Sequence, residues 1–153
     1  MKVYHYTQSF RLDIILEAGF IKLESFLPSI PDLVWLTSEK FVPNICRRQD
    51  HTLRPARFVD VDYHRFIFDS SDPLIKRWAS YQRTIRGDRE SVATLNRTAR
   101  DLKDNPRKWF VSEVPLPIGE HEEATADSEF NFFVDGQPVN YFAPQDVGAD
   151  STH

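Results

Sequence analysis

The hydrophobic periodicity of the chain changes twice along its length. In the first half, the continuous apolar run Leu33–Thr37 is typical of a buried strand, and the alternation in Ala56–Tyr63 is typical of a half-buried one. Between Pro73 and Pro106, apolar residues instead recur at the helical spacings of three and four. Strand-like sequence returns at Trp109–Leu116. This succession predicts an α+β fold with a largely antiparallel or mixed sheet.

The first twenty residues predict a short strand followed at once by a helix. Lys2–Tyr6 has the composition of a strand, and Ser9 is a residue type that caps helix N-termini. The helix is predicted to run to Ala18, and Gly19 supplies the residue that most often ends a helix.

The second half of the chain predicts two helices and a hairpin. Leu74–Tyr81 indicates one helix, and Val92–Leu102 indicates a second and more regular one. Phe130–Phe142 is predicted to form a hairpin around Asp135-Gly136, a dipeptide that favours tight turns. The acidic stretch Glu120–Glu129, which directly precedes the predicted hairpin, predicts a mobile loop.

Length and composition favour one domain in a reducing compartment. The 153 residues, 41% of them hydrophobic, predict a single domain over 1–142 with a flexible C-terminal tail at 143–153. The lone Cys46 cannot form an intrachain disulfide, and no apolar run is long enough to span a bilayer. Because strand-like sequence begins directly after Met1, without a signal-peptide pattern, we expect a cytoplasmic location without membrane partners.

Charge is distributed unevenly along the chain, whose formal net charge is −4. Lys76–Lys108 contains ten Lys or Arg against four Asp or Glu, a balance of +6. From Trp109 onward there are nine Asp or Glu and no Lys or Arg, a balance of −9. The basic segment is compatible with phosphate or nucleic-acid binding, and equally with a solvated helix face.

The common catalytic motifs are missing from the sequence. It contains no GxGxxG and no P-loop, and its five glycines leave little room for a phosphate-cradling loop. Its five histidines are too scattered for the spacing of metal ligands, and no Ser lies in a nucleophile elbow. Zinc enzymes, kinases, elbow hydrolases and Rossmann dehydrogenases are therefore disfavoured, and no metal is expected.

Three segments, in their order, resemble the ADP-ribosyltransferase superfamily. YHYTQSFRLDIILEAGFI is similar to the family's opening, in which a strand histidine precedes a small polar residue and a helix of the form IL..G. VWLTSEKFVPNIC resembles the second motif of poly(ADP-ribose) polymerases, and SEVPLP resembles the strand that carries the catalytic glutamate in DNA-modifying toxins. The resemblance covers about half of the chain and implies a split antiparallel or mixed sheet with flanking helices.

The resemblance implies roles for individual residues in binding NAD, the co-substrate. His5 would bind a ribose hydroxyl, the Tyr6 backbone would hold the nicotinamide amide, and Trp35 would pack on the nicotinamide ring, where the family usually has Tyr. Glu113 would stabilise positive charge as the glycosidic bond breaks, as placed carboxylates do in glycosidases. Val111 stands where a second Glu or Gln would mark the arginine-modifying subclass. Further contacts to ribose or phosphate would come from Thr7, Arg11, Thr37 and Ser38.

The function implied is NAD-dependent mono-ADP-ribosyl transfer to a macromolecule, with RNA or DNA favoured slightly over protein. By fold-level analogy it suits a bacterial or phage toxin or defence factor, with an antitoxin or regulatory partner. One alternative is a degenerate module of the same fold that binds NAD or a nucleotide without turnover. Another is an RNA phosphotransferase, for which Arg11, Arg47 and Arg48 are available but a second placed His is not evident.

Each candidate residue also has a purely structural interpretation. A single strand histidine such as His5 is often only a hydrogen-bonded structural residue, and Trp35 in an apolar run is equally typical of a core. Glu113 in a strand and Arg11 on a helix are also consistent with solvent-facing side chains.

Overall fold

The computed structural model describes residues 1–50, 52, 57–86 and 89–127, together with strands at 131–134 and 137–140. Helices combine with a mainly antiparallel sheet in these residues, which confirms the predicted α+β class. No helix in the described part of the chain is long and apolar enough to cross a bilayer. The predicted tail at 143–153 lies outside the described residues.

Six strands form the main sheet, in the order β10-β6-β1-β3-β8-β7, and each of the pairings is antiparallel. Three short two-stranded pairings accompany it, β2 with β9, β4 with β5, and β11 with β12. The strands are β1 (Lys2–Gln8), β2 (Phe20–Ile21), β3 (Val34–Thr37), β4 (Gln49–Asp50), β5 (Arg57–Phe58), β6 (Tyr63–Asp69), β7 (Lys76–Arg77), β8 (Trp109–Ser112), β9 (Leu116–Pro117), β10 (His121–Ala124), β11 (Asn131–Val134) and β12 (Gln137–Asn140).

Within the described residues, three α-helices flank the sheet: α1 (Leu12–Ala18), α2 (Trp78–Tyr81) and α3 (Arg89–Asp101). Successive residues of a strand point to opposite faces, so the main sheet has a core on each side. One core includes Val34, Leu36 and Phe110, with α1 packed partly against it. The other includes Trp109 and Val111 from the alternate positions, covered by residues of α2 and α3.

The pairing of β1 differs strongly between its two neighbours. It pairs with β6 along the whole of Lys2–Gln8, whereas its register with β3 consists of the single pair Tyr4 and Thr37. The two halves of the sheet therefore diverge after Tyr4, and a cleft opens along the β3 side of β1.

Two sequence predictions of strand and loop position need correction. The predicted strand Ala56–Tyr63 is confirmed only at Arg57–Phe58, which forms β5, and the long strand β6 begins at Tyr63, because pairing with both β1 and β10 stabilises that later segment. The predicted acidic loop Glu120–Glu129 contains β10, since backbone pairing to β6 does not require apolar side chains and Glu122 lies opposite Arg65 as an ion pair.

The predicted helix that ends at Ala18, the predicted helix Val92–Leu102 and the hairpin are largely confirmed. The predicted helix Leu74–Tyr81 is confirmed only over Trp78–Tyr81, because Lys76–Arg77 pairs with β8 as strand β7. Helix α3 covers most of Val92–Leu102, and β11 pairs with β12 around the predicted turn, although Asp135-Gly136 itself lies outside the described residues. The predicted Ser9 cap is wrong, because a 3₁₀ turn at Ser9–Arg11 precedes α1 and no side chain caps it. The predicted stop at Gly19 is confirmed.

Gly19 ends α1 in the left-handed conformation, with φ of 81°, and its N–H donates to the Ile15 carbonyl at 2.9 Å. A Cβ at this position would meet no atom within 4 Å, so the cost of a side chain is conformational rather than steric. We expect Gly19→Ala to lower the free energy of unfolding by about 1 kcal/mol, as measured by urea denaturation.

Gly119→Ala is the matched control, because that glycine also has open space around its Cβ position but no positive φ. Its unfolding free energy should match or slightly exceed that of the wild type. Equal losses at Gly19 and Gly119 would contradict a conformational role specific to Gly19.

Candidate functional site

The cleft between β1 and β3 is a cavity of about 260 Å³. One wall is the part of β1 that continues past Tyr4, and another is the segment from Val42 to Cys46. Trp35 and Phe26 also line the cleft, with their rings in an edge-to-face arrangement at 4.8 Å between centroids. The cleft is therefore bounded by aromatic surface and by strand backbone, as small-molecule sites commonly are.

His5 joins the two walls where the backbone pairing stops. Its Nδ1 lies 2.8 Å from the Trp35 carbonyl oxygen, which can only accept, so Nδ1 carries the proton. Burial lowers the pKa of His5, and this outweighs the opposing effects of the Trp35 carbonyl and the Glu24 charge. His5 is consequently neutral near pH 7, and its Nε2 is a hydrogen-bond acceptor on a residue that lines the cleft.

Tyr6 belongs to a polar group at the mouth of the cleft. Its hydroxyl donates to the Glu39 carbonyl at 2.6 Å and accepts from Arg65 Nη1 at 3.2 Å. Burial raises the pKa of Tyr6 to about 12, so the hydroxyl remains protonated. The Arg65 guanidinium also lies over the Tyr4 ring, 4.0 Å from its centroid. These contacts fix the loop after β3 against β1.

The wall at Val42–Cys46 is anchored by the segment directly after α3. Asp104 accepts the backbone N–H groups of Asn44 and Ile45, each at 2.8 Å, through its two carboxylate oxygens. The Asn44 side-chain amide donates to the Leu102 carbonyl at 2.8 Å. Because Ile45 lines the cleft, a carboxylate about sixty residues away in sequence sets the position of this wall.

Six of the predicted site residues line this one cleft: His5, Tyr6, Thr7, Arg11, Trp35 and Thr37. The Thr37 hydroxyl accepts the Glu39 N–H at 3.1 Å in a turn, and Ser38, which does not line the cleft, donates its N–H to the Lys108 carbonyl. Trp35 is packed among aromatic rings, with its centroid 4.8 Å from that of Trp78 and 6.0 Å from that of Trp109.

Glu113 lies outside the cleft. Its carboxylate pairs with Lys76 Nζ at 2.6 Å and accepts from the Tyr81 hydroxyl at 3.3 Å. The side chain is half exposed, and the Lys76 ammonium lowers its pKa. It borders a separate surface groove together with Tyr81, Thr84 and Arg86.

Several residues that line the cleft were not identified from the sequence. Glu24 and Phe26 lie in a loop with no regular hydrophobic pattern, and Gln8 and Tyr63 lie at the ends of strands. Gln8 Oε1 and Trp35 Nε1 are buried atoms with no hydrogen-bond partner among the described residues.

Arg47, considered from sequence as a phosphate ligand, is buried instead. Its Nη1 donates to Asn44 Oδ1 and to the Asp127 carbonyl, both at 3.0 Å, and its guanidinium lies over the Phe58 ring. It is thus part of the packing behind the Val42–Cys46 wall. The described residues contain no group of three His, Cys, Asp or Glu side chains arranged to hold a metal ion.

Comparison of the chain with protein-family models, with curated proteins and with solved structures finds no significant match.

We expect Asp104→Ala to lower the free energy of unfolding by about 3 kcal/mol at pH 7, because two N–H groups would lose a charged acceptor. Chemical denaturation measures the loss. Asp101→Ala is the matched control three residues earlier, at the end of α3, since Asp101 is exposed and its removal should change stability by less than about 0.5 kcal/mol.

The effect of Asp104→Ala should also depend on pH. Burial raises the pKa of Asp104 to about 6, against an ordinary value of 3.8, so the folded state takes up a proton before the unfolded chain does. The stability difference between wild type and variant should therefore grow as the pH falls from 6 toward 4 and level off above 6. A difference that shrinks on acidification would contradict this.

Proposed function

We propose that the chain is an NAD-dependent mono-ADP-ribosyltransferase that binds NAD in the cleft between β1 and β3. The observation that carries the proposal is the convergence on one cleft of His5 and Arg11, from the start of the chain, with Trp35 of β3. The resemblance noted from sequence assigned His5 to a ribose hydroxyl, Trp35 to the nicotinamide ring and Arg11 to ribose or phosphate. Their meeting in space is what that assignment requires.

The chemistry of His5 suits a ribose hydroxyl. A neutral imidazole with Nδ1–H bonded to the Trp35 carbonyl presents Nε2 as an acceptor, and a ribose hydroxyl is a donor.

The size of the cleft favours the nicotinamide-ribose half of NAD as the enclosed part. A volume of about 260 Å³ lies just below the range of roughly 300–1,000 Å³ that is usual for ligand sites, so only part of a dinucleotide would be enclosed. The remaining half would extend along the open side past Arg11, whose guanidinium is half exposed and available to a phosphate.

The position of Glu113 favours a second candidate, a module of the same fold that binds NAD or a nucleotide without turnover. The predicted catalytic carboxylate is paired to Lys76 in a different groove, so this residue supplies no charge to the cleft.

Two measurements on the purified protein distinguish the transferase from the binding module. One is the release of nicotinamide from NAD, and the other is the binding of NAD, measured by calorimetry. For the transferase, we expect His5→Ala to reduce release by about 10²-fold or more, the typical cost of removing one transition-state hydrogen bond. His121→Ala is the matched control, since His121 is an exposed histidine on β10 that does not line the cleft.

Thermal unfolding of each variant checks that His5→Ala acts on the site and not only on the fold. NAD binding without release in the wild type would favour the binding module. Absence of NAD binding would contradict both candidates.

We further propose a nucleic-acid acceptor, supported by the charge of α3. Its buried residues Leu95 and Ala99 define the inner face, and helical geometry places Arg97 and Arg100 on the outer side, both exposed. None of the salt bridges found in the described part of the chain involves these two arginines. Exposed arginines outside these salt bridges, on a protein of net negative charge, are suited to a phosphate backbone.

The double variant Arg97→Gln/Arg100→Gln should weaken binding to single-stranded DNA or RNA oligonucleotides, measured by fluorescence anisotropy over a series of salt concentrations. Loss of two phosphate contacts should reduce the slope of log K against log salt by about 1.4. Lys2→Gln/Lys22→Gln removes the same charge from other exposed positions and should change the slope little. Equal slopes for the two double variants would argue against an acceptor site on α3.

A further inference from the structure

One carboxylate does line the cleft. Among the described residues that form its walls, Glu24 is the single Asp or Glu. It follows β2, and its backbone is bonded in both directions to Leu33, the residue before β3, at 2.8 and 3.0 Å. These two hydrogen bonds hold the Glu24 backbone beside β3, the strand that carries Trp35. The position of Glu24 on the wall of the cleft is therefore fixed by backbone pairing.

The Glu24 side chain shares the cleft with His5 and Arg11. Its carboxylate lies 3.6 Å from Arg11 Nη1, and both side chains are about half exposed. It is also close enough to His5 for its charge to act on the imidazole, in opposition to burial. A half-exposed ion pair contributes little to stability, and its carboxylate remains accessible to a ligand.

Glu113 cannot fill this place in the arrangement observed. Its two carboxylate oxygens contact Lys76 and Tyr81, and the groove it borders shares no described lining residue with the cleft. A positive charge that develops beside His5 would therefore be met by Glu24.

We propose that Glu24 is the catalytic carboxylate of the cleft, an inference that rests on the proposed transferase function. The bond between ribose C1′ and the nicotinamide nitrogen breaks, and its electron pair passes to the ring nitrogen, which neutralises the pyridinium. The positive charge moves to the ribose as an oxocarbenium ion, which the Glu24 carboxylate stabilises. A hydroxyl or amine of the acceptor, or water in its absence, then forms the new bond to C1′ and releases its proton to solvent.

Arg11 has a defined part in this arrangement. In the absence of a ligand its guanidinium pairs with Glu24, and a phosphate of NAD would compete for the same donors. Transfer of Arg11 to the phosphate would leave the Glu24 carboxylate free to face the ribose. Binding of the substrate and release of the carboxylate are thereby coupled.

The test compares Glu24→Gln with the matched control Glu113→Gln, both measured for nicotinamide release and for NAD binding by calorimetry. We expect Glu24→Gln to lower kcat by about 10²- to 10³-fold, with the Kd for NAD changed by only a few fold, because the amide keeps the shape of the side chain but not its charge. Glu113→Gln should retain the wild-type rate within about twofold. Glu24→Asp, which keeps the charge at a shorter reach, should have an intermediate rate.

The failure of this inference differs from the failure of the proposed function. A wild-type chain that releases nicotinamide at a rate unaffected by Glu24→Gln would overturn the role of Glu24 and leave the transferase intact. So would a rate that falls with Glu113→Gln and not with Glu24→Gln. A wild-type chain that binds NAD and releases no nicotinamide would overturn both. Thermal unfolding midpoints close to wild type for the three variants would show that rate changes arise in the site.

Discussion

The hydrogen bond from His5 to the Trp35 carbonyl joins the two halves of the sheet at the place where their backbones separate. Strands β1 and β3 pair at Tyr4 and Thr37 and then diverge, so the backbone groups beyond that pair need other partners. A side chain that reaches across supplies one of them without closing the gap. The cleft exists because a side chain, rather than a continued ladder, holds the strands at this point.

Packing on both faces keeps the separated strands in place. One core fills the α1 side of the sheet through Val34, Leu36 and Phe110, and an aromatic core fills the α2 and α3 side around Trp78 and Trp109. Trp35 lies at the boundary, since its ring contacts Trp78 and Trp109 while the residue also lines the cleft. The interpretation of Trp35 as core and its interpretation as ligand contact are therefore compatible.

Charged side chains have different structural uses in different parts of the molecule. Asp104 is used internally, to hold the wall at Asn44 and Ile45, whereas Glu113 is used at the surface, as the partner of Lys76. The exposed arginines of α3 belong to neither arrangement. Charged residues thus form an internal anchor, a surface ion pair and a candidate nucleic-acid surface. Which of these a given charged residue forms depends on its burial and on the groups beside it.

The sequence by itself determined the α+β class, the helix through α3, the end of α1 at Gly19 and the hairpin of β11 and β12, because periodicity and turn residues act over short distances. It also identified His5 and Trp35 as candidates. Only the tertiary structure decided that β6 pairs along all of β1, that an acidic segment forms β10, that Glu113 lies away from the cleft and that Glu24 lies on its wall. Strand pairing and the placement of a side chain across a loop depend on partners distant in sequence, and local pattern contains no information about those partners.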